Sequence, residues 1–340
     1  MNDDDEENSS FGMDQLHRDL IIDIMSRLDG CTVASTASTC IDLRDAVEDE
    51  QLWRKLCNDT WPSTSKTQLP FHKTGGFKSF YADAFPLIVN RGVPETIHTS
   101  SSPWDFISLV DIYYKGHCIF SKVMDAIIEE GIYASCRANN LKRFFDYPFK
   151  LNLLDNLTNL PSTAFLDYEE RGYKIVGDLR LSWIVFDRRK GKAVNISSWK
   201  PRTVHKCNSS EEGYIICFGC IVHVEDGVTT HRLAECVITA KCELMIKQGC
   251  IRWEEITLVI KDMDGSHLNG EQSVRVMKQA LNCSRSVNHD VVELAYQQFC
   301  KQKIQLKLKD EKEESLANLF CATIAIASLL GICYACATLL

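Results

Sequence analysis

Apolar positions recur with helical spacing from residue 14 to 62 and with strand spacing from 103 onward, and this change of period divides the chain. Leu20, Ile21, Ile24, Met25 and Leu28 fall at i, i+1, i+4, i+5 and i+8, one face of a helix that Asp29-Gly30 ends. Thr32 is expected as the N-cap of a short second helix. A third helix carries Cys40, Leu43 and Val47, and a fourth carries Leu52, Trp53, Leu56 and Cys57 before Trp61-Pro62 stops it. Residues 63–102, rich in Ser, Thr, Pro and Gly, are expected to be a linker with a short amphipathic piece at Phe77, Phe80, Tyr81 and Phe85.

Strands are predicted at 104–114, 117–124, 178–187, 213–222, 234–247 and 251–261. The fifth alternates cleanly: Cys236, Ile238, Ala240, Cys242, Leu244 and Ile246 against Thr239, Lys241 and Glu243. In the sixth the apolar set switches from odd numbers (Ile251, Trp253) to even ones (Ile256, Leu258, Ile260), which predicts a bulge near Glu254 and Glu255. After the turn Asp264-Gly265, Asn269 and Gln272 have the spacing of a capping box for a helix carrying Val274, Met277 and Leu281. The fold class expected is α+β: a small N-terminal helical module, then a mostly antiparallel β domain (103–285) closed by C-terminal helices. A charged helix (286–315) and a C-terminal apolar helix (316–340) follow.

Charge sharpens this division. The chain has 340 residues and a net charge of −8, and residues 1–60 carry five basic and fifteen acidic side chains. Residues 1–13 are expected to be a disordered acidic leader. No basic face of the kind that dominates nucleic-acid binding is present, so a nucleic-acid partner is not expected. An acidic start is the opposite of a signal peptide. The sixteen cysteines are accordingly read as free thiols of a reducing compartment, serving as small core apolars.

Residues 316–340 contain no charge, and 25 residues at 1.5 Å each are long enough for a bilayer core. A tail anchor facing the cytosol is expected from this stretch, in competition with a buried helix covering the sheet domain. Catalytic motifs are wanting: there is no phosphate-cradling Gly loop, nucleophile elbow or His-Glu-x-x-His helix. Asp262-Met263-Asp264-Gly265 lacks the remainder of a calcium loop and fits a tight turn better. The best metal candidate is Cys217-x-x-Cys220-x-x-His223. It lies in an apolar run where residues three apart face opposite sides of a strand, unless Gly219 makes a turn. No cofactor is expected.

Leu16, the run Asp19-Leu20-Ile21-Ile22-Asp23-Ile24-Met25-Ser26-Arg27-Leu28, Leu43 and the closing Leu52-Trp53 resemble an F-box, here at 14–62. His17 stands where proline is usual and Asp23 where glutamate is common. Leu52-Trp53-Arg54, Asp59-Thr60-Trp61-Pro62, Ala84-Phe85-Pro86-Leu87, Val110-Asp111-Ile112-Tyr113-Tyr114 and Lys261-Asp262-Met263-Asp264-Gly265 extend the resemblance over residues 14–285. The family resembled is one of plant F-box proteins with a strand-rich C-terminal half, and the apolar tail lies outside its pattern.

The resemblance implies a non-catalytic, cytoplasmic or nuclear substrate-recognition subunit of a Skp-cullin-F-box ubiquitin ligase. It would bind a Skp-type adaptor, and through it a cullin, by Leu16, Leu20, Ile21, Ile24, Leu28, Val33, Leu43 and Trp53. A protein substrate would sit on the strand-rich half. Size supports this independently, since a module of some 45 residues buries too little surface alone; standing free it would leave Ile21, Ile24, Leu28 and Val33 partly exposed. The alternative is a metal- or thiol-dependent enzyme around Cys217, Cys220 and His223.

Overall fold

A computed structural model of the chain describes residues 18–70, 75–89, 105–125, 150–160, 171–207, 210, 212–225, 227–229 and 231–339. The acidic leader and Leu16 lie outside them. Four short helices open the described chain: α1 (Arg18–Met25), α2 (Gly30–Thr36), α3 (Ile41–Val47) and α4 (Glu50–Thr60). The second starts earlier than predicted, because Asp29 and not Thr32 is its N-cap; the Asp29 carboxylate accepts from the Thr32 N–H at 2.9 Å. Those hydrogen bonds, led by the one from the Thr32 hydroxyl, hold the Asp29 carboxyl below its ordinary range. Asp49 caps α4 in the same way through the Gln51 and Leu52 N–H groups.

The stretch expected as a linker is partly built into the core. A 3-10 turn at Pro62–Lys66 leads on to α5 (Gly76–Ala84), whose Phe77, Phe80, Tyr81 and Ala84 are all buried, and then to the two-residue strand β1 (Leu87–Ile88). Strands β2 (Phe106–Tyr114), β3 (His117–Asp125), β4 (Lys150–Asn159), β5 (Leu179–Asp187), β6 (Lys192–Asn195) and β7 (Thr203–Lys206) follow, with α6 (Arg171–Gly177) before β5. They continue with β8 (Gly213–His223), β9 (Leu233–Met245), β10 (Cys250–Asp262), α7 (Gly270–Ala280), β11 (Arg285–Ser286) and the long helix α8 (His289–Leu339). The fold is α+β.

Two sheets stack face to face. One has the order β11-β1-β6-β5-β2-β3, antiparallel apart from the β1–β6 pair; the other is the antiparallel β4-β10-β9-β8-β7. The ladder of β10 slips at Trp253/Glu255, the predicted bulge, which turns Trp253 and Ile256 both into the core. Asn269 and Gln272 make the predicted capping box of α7, whose Val274, Val276, Met277 and Ala280 are buried in the sandwich core. The turn Asp262–Gly265 joins β10 to α7 and is closed by the Gly265 N–H donating to the Asp262 carbonyl.

Every residue of β2 is buried, which a strand with one wet face cannot achieve. Phe106, Val110 and Ile112 point into the sandwich, whereas Ile107 and Leu109 point the other way, with Ile184 and Phe186 of β5 and Ala193 of β6. This second face packs against α4 and α5, so the helical module and the first sheet share one core.

The expected tail anchor is not borne out. Residues 316–339 are the distal part of α8, continuous with the lysine- and glutamate-rich turns before them. Among the described residues no helix is long and apolar enough to cross a membrane. The competing expectation, a helix covering the sheet, fails too, since Leu316, Leu319 and Ile324 are all more than half exposed.

Candidate functional site

The helical module presents one apolar stripe to solvent. Leu20 and Ile24 on α1 are each 48% exposed and Leu28, in the turn after it, 37%; Ile41 at the start of α3 is 70% exposed. A spacing of four keeps Leu20 and Ile24 on one side of α1, Leu28 follows in the turn after its last residue, and α1 packs directly on α3. Charged side chains flank the stripe: Asp23 pairs with Arg27 at 2.8 Å, and Asp19 and Asp42 occupy the first turns of α1 and α3. Exposed leucine and isoleucine with a polar border offer apolar contact surface and no group for bond chemistry.

The other predicted contact residues lie inside. Ile21, Val33 and Trp53 are buried and Leu43 is partly so, all in the core shared with the sheet. The expectation of exposed Ile21 and Val33 assumed a free-standing module, but the module is not free-standing. Trp53 is further fixed by its indole N–H, which donates to the Val47 carbonyl at 2.6 Å. Ile41 was not among the predicted contacts. Its one sequence signal is an isoleucine between Cys40 and Asp42, out of phase with the Leu43/Val47 stripe.

Polar ties lock the site to the sheet. Fully buried Asp111 on β2 accepts from the Ser63 N–H at 3.0 Å and the Ser63 hydroxyl at 2.5 Å, and the Tyr113 hydroxyl donates to the Thr60 carbonyl. Asp83 on α5 accepts from the Ala193 N–H at 3.1 Å and from Arg285 at 3.1 Å. Burial pushes the Asp111 carboxyl above its ordinary range, opposed by the Ser63 bonds. A raised folded-state value means stability that is present below the unfolded value of about 3.9 and lost as pH rises through the folded one. Asp111→Asn, neutral at every pH, should therefore gain stability relative to wild type between pH 4.5 and pH 7 in urea denaturation. Parallel pH profiles for the two proteins would refute this account.

The strand places Cys217 and Cys220 on opposite faces. Cys220 is buried in the sandwich opposite Cys236, and Cys217 sits on the outer face between Thr203 and Thr239. Gly219 makes no turn; it stays within β8 at φ +152° with its N–H donating to the Ser198 hydroxyl at 3.2 Å. Desolvation lowers the pKa of half-buried His223. Among the described residues no group of three or more His, Cys, Asp or Glu converges as metal ligands would, and every described cysteine is a free thiol.

A family model described as F-box-like matches residues 14–59, which is the module carrying the exposed stripe. The N-terminal module is an F-box-like domain. The chain as a whole is 29% identical to F-box protein At2g27310 of Arabidopsis thaliana over 323 residues, 90% of each chain. It is 27% identical to the probable F-box protein At2g36090 of the same plant (92% of this chain, 89% of that one) and 26% identical to F-box protein At3g44326 (88% and 83%). The similarity thus runs through the β sandwich as well as the F-box-like domain. No solved structure matches the chain.

Proposed function

We propose that this protein is a substrate-recognition subunit of a Skp-cullin-F-box-type ubiquitin ligase. The observation that carries the reading is the exposed set Leu20, Ile24, Leu28 and Ile41 on an F-box-like domain whose other described large apolar side chains are buried or half-buried in the core shared with α5 and the sheet. A Skp-type adaptor, itself bound to a cullin, would bury that stripe, and the β sandwich would hold the protein substrate. The chain then performs no bond chemistry. It raises the effective concentration of substrate at the ubiquitin-charged enzyme, in the cytoplasm or nucleus where such ligases work.

Aspartate at the centre of the stripe tests this. Ile24 is half exposed, so Ile24→Asp leaves the free protein folded but would bury an unpaired carboxylate against the adaptor. Affinity for a Skp-type adaptor, measured with the full chain, should fall at least tenfold, about 1.4 kcal/mol. Leu157→Asp, a change of equal chemistry at an exposed position of β4, should leave it unaltered. Equal adaptor binding by folded Ile24→Asp would exclude the assignment.

A further inference from the structure

Leu28 lies beyond the last residue of α1, so its direction is set by the turn 26–29 that leads into α2. Two ties hold that turn. At its start the Ser26 hydroxyl donates to the Asp23 carbonyl at 2.8 Å and accepts from the Lys55 ammonium of α4 at 2.8 Å. Just past its end Gly30, the first residue of α2, lies against the ring of Tyr81 on α5. A Cβ on Gly30 would stand 2.8 Å from the Tyr81 hydroxyl oxygen and closer still to two carbons of the ring. The backbone passes over the ring with no room for a side chain. Alanine is otherwise the better helix residue, so the glycine marks this contact.

Hydrogen bonding makes the same tie. The N–H groups of a first helical turn have no partner within the helix. The Asp29 side chain accepts from Cys31 and Thr32, and its carbonyl accepts from Val33. The Gly30 N–H goes instead to the Tyr81 hydroxyl, which also accepts from the Thr60 side chain. Burial, opposed by these bonds, pushes that hydroxyl up to about 12, so it is a neutral phenol throughout the physiological range. The ring itself is fixed: Tyr81 is 4% exposed, lies 5.5 Å from Trp53 and 5.2 Å from Trp61, and stacks on Phe85 at 5.2 Å.

We propose that Tyr81, outside the F-box-like match at 14–59, is a positioning residue for adaptor docking that fixes where Leu28 is presented. The inference rests on the adaptor reading above. A turn already held in place loses little freedom when a partner covers it, whereas a loosened turn must be ordered again at the expense of affinity. The docking surface is then completed by α5, from the core that the helical module shares with the sheet.

Tyr81→Phe keeps the ring and deletes the hydroxyl. In the full chain it should weaken affinity for a Skp-type adaptor about threefold to tenfold. Gly30→Ala, which drives the turn off the ring, should weaken it more. Loss of aim is separated from loss of stability by repeating Tyr81→Phe in two backgrounds. With Leu28→Ala the change should cost nothing further; with Leu20→Ala, at the other end of α1, it should cost its full factor. A general loss of stability would move both backgrounds alike. Equal factors in the two backgrounds, or unchanged affinity of Tyr81→Phe and Gly30→Ala, would overturn the proposal. If Ile24→Asp loses the adaptor while Tyr81→Phe does not, the adaptor reading stands and Tyr81 has no positioning role. If Ile24→Asp binds as wild type does, the reading falls and this inference with it.

Discussion

Gly219→Ala is expected to destabilise the protein by about 3 kcal/mol or more. Gly219 lies in β8, which pairs with β9 through the middle of the second sheet, at a φ of +152° that L side chains rarely adopt. A Cβ there would stand 1.9 Å from the Cys236 carbonyl oxygen and 3.3 Å from the Val237 Cα. Both are backbone atoms of a fully paired strand, so neither can rotate away. Backbone strain of this kind costs roughly 1–3 kcal/mol and overpacking a similar amount again. Gly227 separates the two contributions: its φ is +83°, yet nothing lies within 4 Å of its Cβ direction. Gly227→Ala should cost only about 1 kcal/mol. Urea denaturation of the two variants reads the difference directly, and equal costs would mean that the close approach at Gly219 contributes nothing.

The strands legible in the sequence showed either an alternation with one buried face or, in β2 and β5, a long apolar run buried on both. Strands β9 and β10 alternate because their odd or even residues meet the sandwich while the others meet water, and the break in phase at Trp253/Glu255 was visible for the same reason. Strand β6 was missed because Ala193, Val194 and Asn195 are buried in succession, which leaves no alternation in a four-residue strand. Edge strand β7 has little to bury. Helix α5 looked like a fragment within a linker because its burial depends on Phe186, more than a hundred residues away.

The exposed apolar stripe was half legible for a related reason. Helix α1 is apolar on two sides, and spacing alone cannot say which side meets the sheet and which meets solvent. The fold assigns Ile21 and Met25 to the core and Leu20 and Ile24 to the surface. The tie between Ser63 and Asp111 joins residues 48 apart with no local signal at all.

Phe186→Ala is expected to cost about 3–5 kcal/mol and to loosen the F-box-like domain from the sheet. Phe186 is fully buried on the face of the first sheet that meets the helices, with its ring 6.0 Å from Phe80 of α5. From Phe80 the contacts run on to Trp61 at 5.8 Å, from Trp61 to Tyr81 at 5.2 Å, and from Tyr81 to Trp53 of α4 at 5.5 Å. Removing the first ring leaves a cavity whose walls cannot close, because the Ser63–Asp111 and Asp83–Arg285 ties hold the two sides apart at fixed distance. Wild type should unfold in one transition by tryptophan fluorescence, since Trp53 and Trp61 report the junction and Trp183 and Trp253 the sandwich. Phe186→Ala should shift that transition to lower urea and expose the region around α5 to protease first. Two separate transitions in the wild type would contradict a shared core. One transition has a functional consequence under the proposed reading: a substrate on the sandwich is carried at a fixed angle to the adaptor stripe. The effective concentration it experiences at the ligase is then set by packing around Phe186 and Phe80 rather than by the reach of a flexible linker.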